Sequence, residues 1–422
     1  MLRKVFYGWW MVGAATILNI FAGGTLIYGF TVFFNPIRNT FGWSATVTSV
    51  AFTLQRFEAG ILEAVAGFLV DRVGPRKLML GGWSVVGLGF LLMSRINSLW
   101  AFYGSFLLIA TGMSFATFIV IFATIANWFN KKRSRAMTLV VVGFGISGTL
   151  VPLLALAVGG LGWRETLIIV GIAAWVIGIP LSLLMRHKPS QYGYLPDGDS
   201  PETASESQSV TDFHSASDTV EQESGPSTSD FTIKAALKTR TFWLLSAAFF
   251  FQFIGASAVM VHIVPYLESV EISTTIAATT VTGITVCSLI GRLGFGLIGD
   301  FANKRYLITI GITLQTIGVF ALSFVHMDMI WLIVPFLLTY APGFGATIPL
   351  RLALQADYFG TESLGAIMGA MALVSMMGGL ASPIIAGWIF DTTGSYHLAW
   401  QLFALVSVPA IPMMLLAKHP SA

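Results

Sequence analysis

Few side chains in this sequence are equipped for chemistry, and several of them stand where charge is costly. Arg56, Glu58 and Glu63 interrupt one apolar run, Arg292 interrupts another, and His262 and Tyr340 lie in two more. A guanidinium presents a rigid planar fork of donors that matches a carboxylate. Glu58, Glu63 and His262 are of the types that relay protons inside membranes. Simpler roles are open to each. Arg56 and Glu63, seven residues apart, share a helix face and can neutralise one another, whereas Glu58, two residues from Arg56, does not share that face. His262 can be a hydrogen-bonded vestibule residue. Tyr340, ahead of Ala341-Pro342-Gly343-Phe344-Gly345, can donate to a carboxylate or anchor packing. Arg351, close to Asp357, reads as a gating or interfacial charge.

Other chemistry is missing from the sequence. There is no Walker-type phosphate loop, so ATP is not expected to drive the protein directly. The one cysteine, Cys287, cannot form an internal disulfide, and no metal-ligand cluster is spaced along the chain. Neither an enzyme nor a bound cofactor is expected, and a net charge of +3 gives no reason to expect a nucleic-acid partner.

These residues must be held by elements suited to lipid. Of 422 residues, 55% are hydrophobic and only 10% charged, against roughly 25% charged in soluble domains. A chain in lipid must pair its backbone polar groups internally, as helices or as a closed barrel. A barrel would alternate apolar and polar residues over about ten positions. Here the apolar runs are continuous and long, as in Leu99 to Ile125. They predict an all-α membrane protein with twelve spans, at about 8–34, 44–70, 77–94, 98–127, 135–160, 164–186, 241–267, 273–299, 306–325, 329–352, 362–389 and 396–417. The first run is too long for a signal peptide and is read as a span.

Arg292 then lies about eight residues before Asp300, roughly 12 Å into the membrane at the helical rise. A charge at that depth normally faces a partner or a water-filled pathway.

Orientation follows from the basic residues. With both termini cytoplasmic, seventeen Lys and Arg fall on the inner side and three, Arg38, Arg95 and Arg164, on the outer side. A multi-pass protein of the cytoplasmic membrane is expected. Pro189 to Asp230 is rich in Ser, Thr, Asp and Glu and lacks Lys and Arg. It cannot bury enough apolar surface to offset its ordering entropy. The expected organisation is a six-helix bundle over 1–187, a flexible acidic cytoplasmic linker over 188–240, and a second six-helix bundle over 241–422.

The two halves echo one another. Gly67, Asp71 and Arg76 recur as Gly296, Asp300 and Arg305, each 229 residues later, and Asn127-Trp128-Phe129 recurs as Asp357-Tyr358-Phe359 at an offset of 230. Two motifs at nearly one offset imply duplication of a six-span unit, hence two pseudo-symmetric bundles.

The loop Gly67-Phe68-Leu69-Val70-Asp71-Arg72-Val73-Gly74-Pro75-Arg76-Lys77 resembles the signature between spans two and three of the major facilitator superfamily, and the likeness extends over essentially the whole chain. The resemblance implies a substrate site between the halves near the midplane and alternating access by rocking. It also implies a gating role for Gly67, Asp71, Arg72, Gly74 and Arg76, with Asp300 and Arg305 as their echoes. A purely topogenic role for those charges is the alternative.

Three further stretches resemble the monocarboxylate porter branch, which includes bacterial relatives and oxalate–formate exchangers. They are Tyr7-Gly8-Trp9-Trp10, Gly29 to Phe34, and Trp128 to Met137. Span eight adds Ser288-Leu289-Ile290-Gly291-Arg292-Leu293-Gly294-Phe295-Gly296. By this resemblance Arg292 holds the substrate carboxylate, with Tyr28 and Tyr340 as neighbours. Span eleven carries no Lys or Arg where dicarboxylate exchangers of the branch have a lysine, so one central cation and a monocarboxylate such as lactate or pyruvate are expected. Tyr28 and Ser288 replace the lysine and aspartate of the animal transporters' proton relay. If protons are coupled, other groups must carry them. The implied protein is a monomeric secondary transporter of a small organic anion, expected to be proton-coupled. A drug or dicarboxylate porter of the same fold, and a transporter-like sensor, remain as alternatives.

Overall fold

The computed structural model describes residues 6–130, 132–195, 197, 231–299, 301–360 and 363–420. Regular structure among them is helical throughout. Twelve long helical passes alternate in direction: α1 Tyr7–Phe41, α2 Ala45–Val73, α3 Pro75–Met93, α4 Leu99–Trp128, α5 Arg135–Leu161, α6 Trp163–Leu183, α7 Arg240–Ser269, α8 Thr274–Ile298, α9 Lys304–Leu322, α10 Met327–Phe359, α11 Leu364–Thr393 and α12 His397–Leu416. Eleven are long and apolar enough to cross a bilayer. The other, α2, has 29 residues, ample for a hydrocarbon core of about 30 Å. It differs only in carrying Arg56, Glu58, Glu63, Asp71 and Arg72.

Local chemistry sets the helix ends. Ser44, Ser98, Thr239, Ser273 and Asn303 each accept a backbone N–H of the first turn of the helix they precede. Gly74 sits at φ 84°, a conformation that L side chains rarely adopt, and Pro75 then opens α3. That pair reverses the chain with no further loop residues.

Repetition is visible in the packing. Within the first half, Gly82 and Gly112 let α3 and α4 approach until each glycine faces the other's carbonyl oxygen. In the second half, Gly311 and Gly343 do the same for α9 and α10. Gly311 lies 229 residues after Gly82, the offset of the loop motif, so the duplication is structural.

Two predicted boundaries move by seven residues. The first span continues past 34 to Phe41. Its polar residues Thr31, Asn35 and Arg38, spaced as one helical stripe, bind the second half rather than water. Span ten continues past 352 to Phe359, which places Arg351 about two turns inside the helix rather than at its end. In the predicted linker, Asp197 accepts the backbone N–H groups of Asn130 and Lys132, and Phe231 N–H donates to Phe359 O. Residues 196 and 198–230 lie outside the described residues.

The described ends of the chain, Phe6 and Pro420, and the α2–α3 turn share one end of the bundle, the terminal end; the α1–α2 turn marks the far end. At the far end one apolar cluster joins Tyr28, Val32, Val151 and Ala155 to second-half residues such as Ala258 and Val281. At the terminal end a cluster around Phe249, Leu354 and Met371 draws on the second half alone. The halves are fused at one end and parted at the other.

Candidate functional site

The parted end holds a cavity of about 790 Å³ between the halves. A single face of α2 explains both the cavity and its closure. Residues 45, 49, 53, 56, 60 and 63 follow helical spacing. The upper part of this face is locked. Asp391 accepts from Ala45 N–H at 2.8 Å, Thr46 N–H at 2.8 Å and Thr46 Oγ1 at 2.5 Å. Ser49 Oγ meets His262 Nε2 at 3.0 Å, and Thr53 Oγ1 donates to Leu380 O at 2.8 Å. From α1, Thr31 Oγ1 donates to Val261 O at 2.9 Å, Asn35 Nδ2 donates to Glu268 at 2.6 Å, and Arg38 stacks on Phe390. The lower part of the face, Arg56, Gly60 and Glu63, opens into the cavity.

Arg56 is half-buried. Its nearest polar or ring contacts are Met260 Sδ at 3.3 Å and the Phe253 ring at 5.7 Å. Among the described residues no ion pair joins it to Glu63, although both line the cavity. Glu58 turns the other way: Thr111 on α4 donates to its Oε1, and its Oε2 is buried without a partner.

Arg351 faces Arg56's wall from α10. Its Nη2 donates to Ser375 Oγ at 3.1 Å, and its guanidinium carbon lies 4.2 Å from the centre of the Phe249 ring. The sequence expectation of a gating or interfacial charge at Arg351 follows from a span ending at 352, whereas the helix continues to Phe359. The uninterrupted apolar stretch Leu352 to Leu354 was the signal that the helix continued.

Arg292 is half-buried and does not line this cavity, and its Nε has no hydrogen-bond partner. Tyr28, buried against Phe144, lies close enough to feel the charge of both Arg292 and Arg56. Tyr340 is buried in a stack with Phe336 and Phe344, within electrostatic reach of Arg56 and Tyr28. The four residues therefore form one neighbourhood. Tyr28 gets there by a π-helical turn at Gly23–Ile27, closed by Tyr28 N–H on Gly23 O at 2.8 Å. Such turns recur at functional sites.

His262 lies elsewhere. It is fully buried in the far-end seam, with Ser49 and Pro383 O near Nε2 and Tyr396 Oη at 3.1 Å from Nδ1. The gating motif is only partly described. The Asp71 side chain and all of Asp300 lie outside the described residues. Arg72 stacks on Phe68 of its own helix, Arg76 is exposed, and Arg305 reaches Ala417 O and Tyr306 Oη. A Cβ at Gly67 would meet Ile119 at an ordinary 3.5 Å, so the helix approach there does not require glycine, whereas Gly74 is held to it by its φ. Among the described residues, the ion pair at this end is Lys304–Asp357, at 2.6 Å, within the second half.

Known proteins agree with this architecture. Residues 14–383 match the model of the major facilitator superfamily. The chain is 27% identical to monocarboxylate transporter 12 of Mus musculus, covering 94% of this chain and 84% of that one. It is 24% identical to the oxalate:formate antiporter of Oxalobacter formigenes, covering 96% and 90%. Among solved structures, a bacterial homolog of the human lysosomal transporter spinster, inward-facing and occupied, superposes with a TM-score of 0.76 at 15% identity over 97% of both chains. Twelve passes in two repeated halves around a central cavity, and a family match over most of the length, make this chain a transporter protein of the major facilitator superfamily.

Proposed function

We propose that the protein carries small organic carboxylates across the cytoplasmic membrane by alternating access, as a monomer, and that the described state is open to the cytoplasm. The observation that carries this reading is two arginines, Arg56 and Arg351, lining one cavity, and a third, Arg292, in the neighbourhood of Tyr28, none of them in an ion pair among the described residues. Uncompensated charge inside a membrane protein marks a substrate pathway. An organic anion supplies the missing partner. Arg292 and Arg56, both within electrostatic reach of Tyr28, form the seat for its carboxylate. The positive-inside bias puts the terminal end in the cytoplasm. The names of the relatives, a monocarboxylate transporter and an oxalate:formate antiporter, are in keeping with anionic cargo.

Proton coupling is the second part of the proposal, with Glu63 as the carrier. Among the described residues it is the carboxylate of α2 that lines the cavity. Labelled lactate or pyruvate uptake into proteoliposomes tests both parts. An inwardly directed proton gradient is expected to raise wild-type uptake severalfold, and Glu63→Gln to remove that response while substrate still binds. Uptake that ignores the gradient would remove the coupling proposal. No uptake of either acid would remove monocarboxylates from the proposed cargo.

Alternating access also requires the far-end seam to part. Asp391→Ala removes the acceptor that caps α2 from the opposite half. Helix caps and charged hydrogen bonds are worth about 1–2 kcal/mol where water has access, so the outward-open population should rise about fivefold to thirtyfold. The check is labelling of Val264→Cys, buried near the seam, by an impermeant maleimide in a Cys287→Ser background. Unchanged labelling would mean that Asp391 does not hold the seam.

A further inference from the structure

We infer that the cavity contains a second anion seat, built from Arg351, Ser375 and the Phe249 ring, and that it selects cargo bearing two carboxylates. This rests on the proposed carboxylate transport and narrows its substrate class. The expectation of a monocarboxylate came from a single central cation, Arg292. The cavity adds two more, Arg56 on the wall from the first half and Arg351 on the wall from the second.

Both lie along one side of α7. Arg351 stacks on Phe249 and Arg56 approaches Phe253. These rings are four residues apart, hence one helical turn apart on the same face. The ring contacts of the two guanidinium groups therefore follow one another along α7 at about one helical turn, roughly 5.4 Å of rise. Two carboxyl groups joined by a short carbon chain can then meet one arginine each, with a forked pair at either end.

Charge balance points the same way. Among the described residues the cavity lining holds two arginines, Arg56 and Arg351, and one carboxylate, Glu63. With Glu63 protonated, as the coupling proposal has it, a monoanion leaves one arginine unmatched, and a dianion neutralises both. Arg351 is also poised for a second ligand. Ser375, a neutral hydroxyl that itself donates to Met371 O, occupies one of its five N–H donors. Its planar group rests on the Phe249 face, a geometry that steadies a guanidinium without neutralising it.

The experiment measures succinate and propionate affinity by competition against labelled substrate in proteoliposomes of the full-length protein. Wild type is expected to prefer succinate at least tenfold. Arg351→Gln should shrink the succinate-to-propionate preference about tenfold, and Arg351→Lys, which keeps charge but not the fork, should shrink it less. Arg292→Gln should weaken both acids. Equal wild-type affinities would overturn the second seat, and so would an unchanged preference in Arg351→Gln. The wild-type comparison decides even if a variant misfolds. If neither acid competes or is taken up, the carboxylate reading itself fails, an outcome distinct from propionate binding without succinate preference.

Discussion

Arg56→Ala is expected to lower carboxylate uptake about a hundredfold or more at sub-saturating substrate, without lowering the thermal stability of the protein. The two halves of this expectation have one cause. In the empty site, Arg56 touches a thioether and the edge of an aromatic field and has no carboxylate partner among the described residues. Such contacts recover little of the cost of removing a guanidinium from water. The site therefore holds unspent attraction that an incoming anion satisfies. Truncating one member of a buried charge pair costs about 2–5 kcal/mol in binding, and each 1.4 kcal/mol is a factor of ten. Removing the same charge from the empty protein relieves its desolvation. Lysine at this position keeps the charge but loses the fork, so Arg56→Lys should fall between wild type and alanine. Uptake and thermal unfolding on the same preparations check the pair. Wild-type uptake by Arg56→Ala would exclude the residue from the substrate seat, and a large drop in melting temperature would make it structural.

Arg292→Ala is the second large effect, expected at about tenfold to a hundredfold in uptake. Its Nε lacks a partner, and Tyr28 is within electrostatic reach of both it and Arg56. The two arginines can grip one carboxylate from two sides with the Tyr28 phenol as an additional donor. Arg292 stands off the principal lining of the cavity, so the loss should be smaller than at Arg56. Arg292→Lys should recover part of the uptake, because charge is kept while the planar fork is not. Transport of Arg292→Ala at the wild-type rate would leave Arg56 and Arg351 as the binding cations.

Much of this was legible in the sequence, and the rest was not for definite reasons. Continuous apolar runs gave the passes, because lipid tolerates little else. The shared offset gave the two halves, and the Gly82–Gly112 and Gly311–Gly343 contacts repeat it in packing. Helical spacing put Arg56 and Glu63 on one face and Glu58 on another, as the cavity and the Thr111 contact have it. Arg351 escaped because hydropathy loses helix ends where polar residues point inward. For His262 a hydrogen-bonded role is one of the open readings, but its partners are not legible, because Ser49 and Tyr396 are 213 and 134 residues away. No local pattern encodes which residues of one half meet those of the other. The same holds for Arg292, whose distance from the cavity depends on how α8 is turned against α5 and α10.

The far-end seam has a consequence for speed. Asp391 is exposed to solvent at the rim of the bundle although it fastens α2. A hydrogen bond is worth about 4–6 kcal/mol where nothing replaces it, but only about 1 kcal/mol where water takes the vacated partner. A fastening built in the dry interior would add its full strength to the barrier of every cycle, at a tenfold slowing per 1.36 kcal/mol. Set at the water's edge, the same three bonds fix which residues of the two halves meet. Water then takes over each donor as it is released, so the clasp gives register to the closed state while adding little delay to turnover.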